Sequence, residues 1–155
     1  MINNIIFDFD GVLVDSEILV AKAFTKYLNN KGFIYNENEF SKFAGLKTIE
    51  VISILAKEFS IQDKNIFYDD IMNITLNIYS NDLKTVKGAY DFIKNSKLNI
   101  FIGSNSVKKR ILDGLKTVKL DNFIKSEQVY SFDMVNKPKP YPDIYLKVVN
   151  DNNLI

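Results

Sequence analysis

The sequence contains neither cysteine nor histidine among its 155 residues. Without cysteine the chain forms no disulfide bond and offers no thiolate nucleophile. Without histidine it has no Ser-His or Cys-His nucleophile pair and no histidine-ligated zinc site. Any acid–base chemistry must therefore be carried out by aspartate, glutamate, lysine or tyrosine.

The sequence also lacks an excess of charge of either sign. It has 20 basic and 19 acidic residues, a net charge of +1, and 46% hydrophobic residues. The near-neutral net charge provides no basic surface to attract nucleic acid or an anionic membrane. The hydrophobic fraction is large enough to form a buried core. No long apolar run or signal-like N-terminus is visible. We therefore expect a cytoplasmic protein without a nucleic-acid or membrane partner.

The periodicity of apolar residues predicts an α/β fold. Residues 4–9 are mostly β-branched or aromatic, with apolar side chains on both faces, which predicts a buried strand. From Ser16 to about Tyr79 apolar residues recur at helical spacing. After Gly88 helical segments alternate with two further predicted strands, LNIFIGSNS and SEQVYSF. This alternation is typical of a parallel sheet, here interrupted by a helical insert.

Polar side chains follow each predicted strand. Asp8 and Asp10 end the first strand, and the third leads to Lys137. The second strand ends in Ser104, Asn105 and Ser106. Ligands of open parallel sheets bind beyond the carboxyl ends of the strands, so we expect these groups to converge. Two close carboxylates favour a bound cation, and Mg²⁺ takes such ligands together with phosphate. A carboxylate can also attack phosphorus or transfer a proton.

Three segments carry a resemblance to a known family. DFDGVLVDSE resembles the first motif of the haloacid dehalogenase-like phosphohydrolases, FIGSNS the second and NKPKPYPDIY the third, in the family's order. The helical insert after the first motif resembles the small α-helical cap of this family. The similar subgroup contains sugar-phosphate phosphatases and β-phosphoglucomutase.

The resemblance implies a fold and an activity. It implies a Rossmann-like core formed by residues 1–14 and 88–155, with an α-helical cap at 15–87. The expected activity is Mg²⁺-dependent hydrolysis of a small phosphorylated metabolite, such as a sugar phosphate, through an aspartyl phosphate. By position, Asp8 would be the nucleophile and a Mg²⁺ ligand. Asp10 would be the general acid/base, with its backbone carbonyl on the metal.

The second and third motifs and the cap imply substrate contacts. Ser104 would bind the transferring phosphoryl group, helped by the Asn105 backbone. A lysine would neutralise that group, and we predict Lys137 rather than Lys139 because the first lysine of KPxP carries this role in the family pattern. Three cap residues are candidates for contacting the substrate, namely Glu17, Gly45 and Lys47.

The family's fourth motif, an acidic pair after a further strand, has no counterpart before the sequence ends in VVNDNNLI. We therefore expect the last core strand to be missing. In the family that strand lies beside the first one. Its loss would leave the strand before Asp8 with an open edge, and such an edge favours self-association.

Other functions remain open at this stage. A phosphosugar mutase would use the same residues, and product analysis separates it from a phosphatase. A non-catalytic remnant would bind phosphate or a partner, and a structural module would pair through the open strand edge. The basic run 108–110 is expected to be a solvated helix face rather than part of a site.

Overall fold

The computed structural model describes residues 2–44 and 46–154. Its strands are β1 (Asn4–Phe7), β2 (Asn99–Ser104) and β3 (Val129–Ser131). Its α-helices are α1 (Glu17–Asn30), α2 (Thr48–Glu58), α3 (Lys64–Asp82), α4 (Ala89–Asn95), α5 (Lys108–Thr117) and α6 (Asp143–Asp151). Short 3₁₀ segments lie at Glu37–Phe43, Leu120–Asn122, Ser126–Gln128 and Phe132–Met134.

The described strands form one parallel sheet in the order β1-β2-β3. Ile5 pairs with Ile100 across β1 and β2, and Ser104 pairs with Ser131 across β2 and β3. The central strand β2 is buried from Ile100 to its end, as an apolar strand covered on both faces must be. The prediction of a Rossmann-like α/β fold is confirmed.

A glycine in β2 allows helix α6 to pack closely on the sheet. A Cβ atom at Gly103 would lie 2.8 Å from Ile144 Cγ2 and 3.3 Å from Ile6 Cγ2. Phe101, Ile144 and Val148 belong to the buried cluster on this side. The close approach places the loop before α6 at the carboxyl end of β2.

The chain divides into two compact units, Met1–Ser16 with Ser80–Ile155 and, separately, Glu17–Tyr79. The predicted cap boundary at 87 lies later than this division at Ser80. Residues 80–87 group with the first unit because they are hydrogen-bonded to the segment after β1. The Asp15 N–H donates to the Lys84 carbonyl at 2.9 Å, and the Val86 N–H donates to the Leu13 carbonyl at 3.0 Å.

The second unit is helical and has a hydrophobic core of its own. Helix α1, helix α2 and the first part of α3 contribute to it, together with the loop residue Tyr35. The Tyr27 and Phe67 rings stack with their centroids 4.3 Å apart. Aromatic residues of this insert therefore serve as core, as their helical spacing predicts.

Strand β1 lies at one edge of the described sheet, where it pairs with β2 and with no other described strand. A cavity of about 330 Å³ is lined by β1, the turn after it and the start of α4, through Ile5, Phe7, Val12, Leu13, Val86, Lys87, Gly88, Ala89 and Phe92. Self-association through this edge stays a prediction. Among the described residues, no helix combines the length and apolar character that crossing a membrane requires.

Candidate active site

The two aspartates follow β1 directly, and the buried Phe9 between them anchors this segment. Phe9 is fully buried, and a Cβ atom at Gly114 of α5 would lie only 2.7 Å from its Cζ atom. The Phe9 ring therefore rests against the backbone of α5. This contact fixes the Asp8–Asp10 segment relative to the helix that follows β2, so both carboxylates lie on a rigid support.

Asp8 is held through one of its two carboxylate oxygens. Its Oδ1 accepts a hydrogen bond from the Phe9 N–H at 2.7 Å and lies 2.9 Å from Lys139 Nζ. No hydrogen bond or ion pair among the described residues involves Asp8 Oδ2. The Asp8 side chain is 41% exposed, so this second oxygen belongs to a carboxylate that an incoming ligand can reach.

Asp10 is held through both of its oxygens. Arg110 donates from its terminal NH2 group to Asp10 Oδ1 at 2.9 Å. The Ser106 hydroxyl donates to Asp10 Oδ2 at 2.5 Å. Hydrogen bonds to a charged group are among the stronger ones in proteins, so these two contacts define where the Asp10 carboxylate lies.

Ser104 lies at the end of β2 and is buried, with 1% of its surface exposed. Its hydroxyl oxygen accepts a hydrogen bond from the Ser106 N–H at 3.0 Å. A hydroxyl that accepts in this way keeps its own O–H available as a donor. Its contact with a phosphoryl group stays a prediction.

The Asn105 side chain joins the loop after β2 to the loop before α6. Its Oδ1 accepts from the Lys139 N–H at 2.9 Å, and its Nδ2 donates to the Lys139 carbonyl at 3.0 Å. Two opposed hydrogen bonds to one residue hold the Lys139 backbone in position. This clamp explains how Lys139 reaches Asp8 from a proline-rich loop.

Comparison with known proteins identifies the family of this chain. Residues 5–155 match the family described as haloacid dehalogenase-like hydrolase. The chain belongs to this family.

Two solved structures of the family cover 99% of the chain. A haloacid dehalogenase-like protein of unknown function from Agrobacterium tumefaciens is 28% identical, with a TM-score of 0.81 and 70% of that protein covered. A putative β-phosphoglucomutase from Thermotoga maritima is 26% identical, with a TM-score of 0.84 and 72% of that protein covered.

A curated relative aligns over a shorter stretch. The chain is 27% identical over 90 residues to 6-phosphogluconate phosphatase of Escherichia coli. The alignment covers 57% of this chain and 41% of that protein. The chain therefore aligns with less than half the length of this relative. The resemblance to the subgroup of phosphatases and phosphoglucomutases is confirmed.

The role predicted for Lys137 at the phosphoryl group stays a prediction, and the structure places a different lysine of the third motif, Lys139, at Asp8. We predicted Lys137, but its Nζ lies over the Tyr141 ring, 5.0 Å from the ring centroid. Lys139 is the lysine that contacts Asp8, because Asn105 holds its backbone. The segment KPKPYPD contains the KPxP pattern twice, and the second copy, which begins at Lys139, runs directly into α6. The copy of KPxP that lies next to the start of α6 is therefore the one whose lysine contacts Asp8.

Arg110 is a site residue that the sequence analysis missed. The basic run 108–110 was expected to be a solvated helix face, and this is wrong for Arg110, whose side chain is 17% exposed and contacts Asp10. Lys109 does fit the expectation, since it is 82% exposed and pairs with Asp113 four residues later. The pairing of Arg110 with Asp10 spans 100 positions, so no local pattern indicates it.

The predicted cap residues belong to a different part of the chain. Glu17 is an exposed residue in the first turn of α1, and Lys47 is an exposed residue just before α2. The Lys47 N–H donates to Glu50 Oε2 at 2.7 Å, which caps that helix. Gly45 lies outside the described residues. The roles of all three in contacting a substrate stay predictions.

Proposed function

We propose that this chain is a Mg²⁺-dependent phosphohydrolase that acts on a small phosphorylated metabolite, such as a sugar phosphate, through an aspartyl-phosphate intermediate. The observation that carries the proposal is the Asp8 carboxylate beyond the end of β1. Lys139 lies 2.9 Å from one of its oxygens, and the other makes no hydrogen bond or ion pair among the described residues. This arrangement leaves a carboxylate oxygen for attack on phosphorus beside a cation that balances the phosphate charge.

The names of two relatives support the class of substrate. One relative is a 6-phosphogluconate phosphatase and another is a putative β-phosphoglucomutase. Both names refer to phosphorylated sugars or sugar acids. The second name also supports a mutase as the alternative function, because a mutase would use the same two carboxylates and return the phosphoryl group to another hydroxyl.

The carboxylates of the site fit a magnesium ion. Mg²⁺ often takes only one or two protein carboxylates and completes its shell with water and substrate phosphate. The described residues contain no group of three or more acidic, histidine or cysteine side chains placed to bind a metal. The Asp8 carboxylate and the Asp10 backbone carbonyl would hold the ion. When bound, it would neutralise charge on the phosphate oxygens.

The reaction then follows from the roles of the chain's own residues. An oxygen of Asp8 forms a bond to phosphorus as the bond from phosphorus to the ester oxygen breaks. Asp10 acts as the acid in its protonated form, gives that proton to the leaving oxygen and is left as the carboxylate. In the second half Asp10 takes a proton from water, the water oxygen attacks phosphorus, and the bond to Asp8 breaks to release inorganic phosphate. Lys139 would stabilise the charge on the phosphoryl oxygens in both halves.

The test is hydrolysis of 4-nitrophenyl phosphate with and without Mg²⁺. We expect Mg²⁺-dependent turnover by the wild type and a loss of at least about a thousandfold in kcat for Asp8→Asn, which removes the nucleophile. Lys139→Ala should lose about a hundredfold, the usual effect of removing one group that stabilises transition-state charge. Lys137→Ala is the matched control and should stay within about threefold of the wild type.

Two results would overturn the proposal. Folded wild type and Asp8→Asn that are equally inert would make the chain a non-catalytic member of its family. Equal turnover by both would assign the activity to another site or to a contaminant. Release of phosphate from a sugar phosphate separates the phosphatase from the mutase, which would instead yield an isomeric sugar phosphate.

A further inference from the structure

We propose that Arg110 and Ser106 form a positioning pair that orients the Asp10 carboxylate for proton transfer. The inference rests on the proposed function, in which Asp10 is the acid and base. It assigns a role to Arg110, which lies outside the three motifs, and to Ser106, the last residue of FIGSNS, for which the resemblance implied no role.

The geometry of the contacts is the first support. Arg110 binds one oxygen of Asp10 and Ser106 binds the other. A carboxylate held at both oxygens has little freedom to rotate about its terminal bond. Proton transfer needs the donor within hydrogen-bond reach of the reacting oxygen, so a fixed carboxylate plane lowers the barrier.

Burial distinguishes Arg110 from the basic residue next to it. The Arg110 side chain is 17% exposed, whereas Lys109 is 82% exposed. Removing a guanidinium group from water is unfavourable unless it is paired and hydrogen-bonded. The Asp10 side chain is itself only 27% exposed, so this pair is shielded from solvent in a way that surface pairs are not.

The position of Arg110 in its helix is the third support. Arg110 is the third residue of α5, whose first turn contains no acidic residue. A cation in the first turn of a helix is disfavoured by the helix dipole. An anion at the same place is favoured, so the Asp10 carboxylate offsets the cost of the arginine. Helix stability alone therefore does not account for an arginine at this position.

The connection to the phosphoryl site passes through Ser106. The Ser106 hydroxyl donates to Asp10, and its backbone N–H donates to the Ser104 hydroxyl oxygen. One residue thus links the carboxylate that transfers protons to the hydroxyl predicted to hold the phosphoryl group. We infer that Arg110 acts through Asp10 and makes no contact with the substrate, so it is a positioning residue.

The test compares two substrates that differ in their need for an acid. Phenyl phosphate has a poor leaving group that requires protonation, whereas 4-nitrophenyl phosphate has a good one. We expect Arg110→Met to lower kcat/KM for phenyl phosphate about a hundredfold and that for 4-nitrophenyl phosphate less than tenfold. KM should change less than threefold for both, since Arg110 does not bind the substrate.

Three variants serve as controls. Arg110→Lys keeps the positive charge but loses the planar guanidinium group. Its kcat/KM for phenyl phosphate should be at least tenfold higher than that of Arg110→Met. Ser106→Ala should show the same dependence on the leaving group, to a smaller extent. Lys109→Met removes the exposed neighbour and should behave as the wild type. Far-UV circular dichroism and a thermal melt verify that each variant is folded.

The outcomes separate this inference from the proposed function. Wild-type turnover that vanishes in Asp8→Asn, with equal losses for both substrates in Arg110→Met, would overturn the positioning role alone. A folded Arg110→Met with wild-type kinetics would do the same. A wild type without any turnover would overturn the proposed function, and the inference with it.

Discussion

Tyr35 is a buried tyrosine in the second unit whose hydroxyl has no hydrogen-bond partner among the described residues. The residue is 2% exposed, and its backbone N–H donates to Asn29 Oδ1. Burial, followed by the negative charges of Glu39 and Glu58, raises the pKa of Tyr35 to about 12. All three effects disfavour the phenolate, so the folded state keeps the proton at a pH where the unfolded chain loses it.

This raised pKa predicts how stability depends on pH. The contribution of Tyr35 is fully present below pH 10 and is lost as pH rises from about 10 to 12, because only the unfolded chain ionises there. Tyr35→Phe should lack this loss. At pH 8 it should be more stable by about 1 kcal/mol, since it removes an unpaired buried hydroxyl.

Urea unfolding of both proteins at pH 8 and pH 11 checks this prediction. The difference in unfolding free energy between Tyr35→Phe and the wild type should grow with pH. A difference that stays constant between the two pH values would show that Tyr35 does not ionise selectively in the unfolded state. The comparison of two proteins cancels the titration of the other tyrosines and lysines.

Single residues also show where prediction from sequence stops. Asp8 and Asp10 could be predicted because they follow an apolar strand, and a strand pattern is local. The choice between Lys137 and Lys139 depends on Asn105, which lies 34 positions earlier. Arg110 pairs with a residue 100 positions away. The choice of lysine and the pairing of Arg110 depend on tertiary contacts, which residue spacing within one segment does not predict.

At the scale of elements, prediction succeeded where periodicity was strong. The helices of the insert and the three strands along the chain could be predicted from apolar residues at helical or strand spacing. The first strand was expected at residues 4–9 and ends at Phe7. The ladder to β2 stops there, and the chain turns at Gly11, which has a positive φ of 74°. Strand ends depend on the pairing partner, so a pattern within one segment does not define them.

The two loops at the carboxyl end of β2 depend on Asn105. We expect Asn105→Ala to lower kcat/KM for 4-nitrophenyl phosphate about tenfold, because losing two hydrogen bonds frees the Lys139 backbone. Asn105→Asp keeps the acceptor for the Lys139 N–H but places a carboxylate oxygen against the Lys139 carbonyl, so its loss should be at least as large. Steady-state kinetics of the two variants measures the effect.

The control for this clamp is the double variant with Lys139→Ala. If Asn105 acts by holding Lys139, then Asn105→Ala should have little further effect once the lysine is removed. Additive losses in the double variant would instead give Asn105 a direct role in binding the phosphoryl group, as the resemblance to the family implies for its backbone.

At the scale of the whole molecule, the candidate cation site lies within one of the two units. The residues of the candidate site, namely Asp8, Asp10, Ser106, Arg110 and Lys139, all belong to the first unit. The second unit has its own buried aromatic cluster. A cation bound by Asp8 would therefore be held by residues of the first unit.

We expect Mg²⁺ to raise the Tm of the calorimetric transition that contains the first unit. At a concentration tenfold above Kd, a ligand that binds only the folded state adds about 1.4 kcal/mol, or about 3–6 °C for a chain of this size. Asp8→Asn should lose this shift because it removes the carboxylate ligand. Asp113→Asn removes an exposed carboxylate that pairs with Lys109, and it should keep the shift. A shift that persists in Asp8→Asn would place the cation elsewhere on the chain.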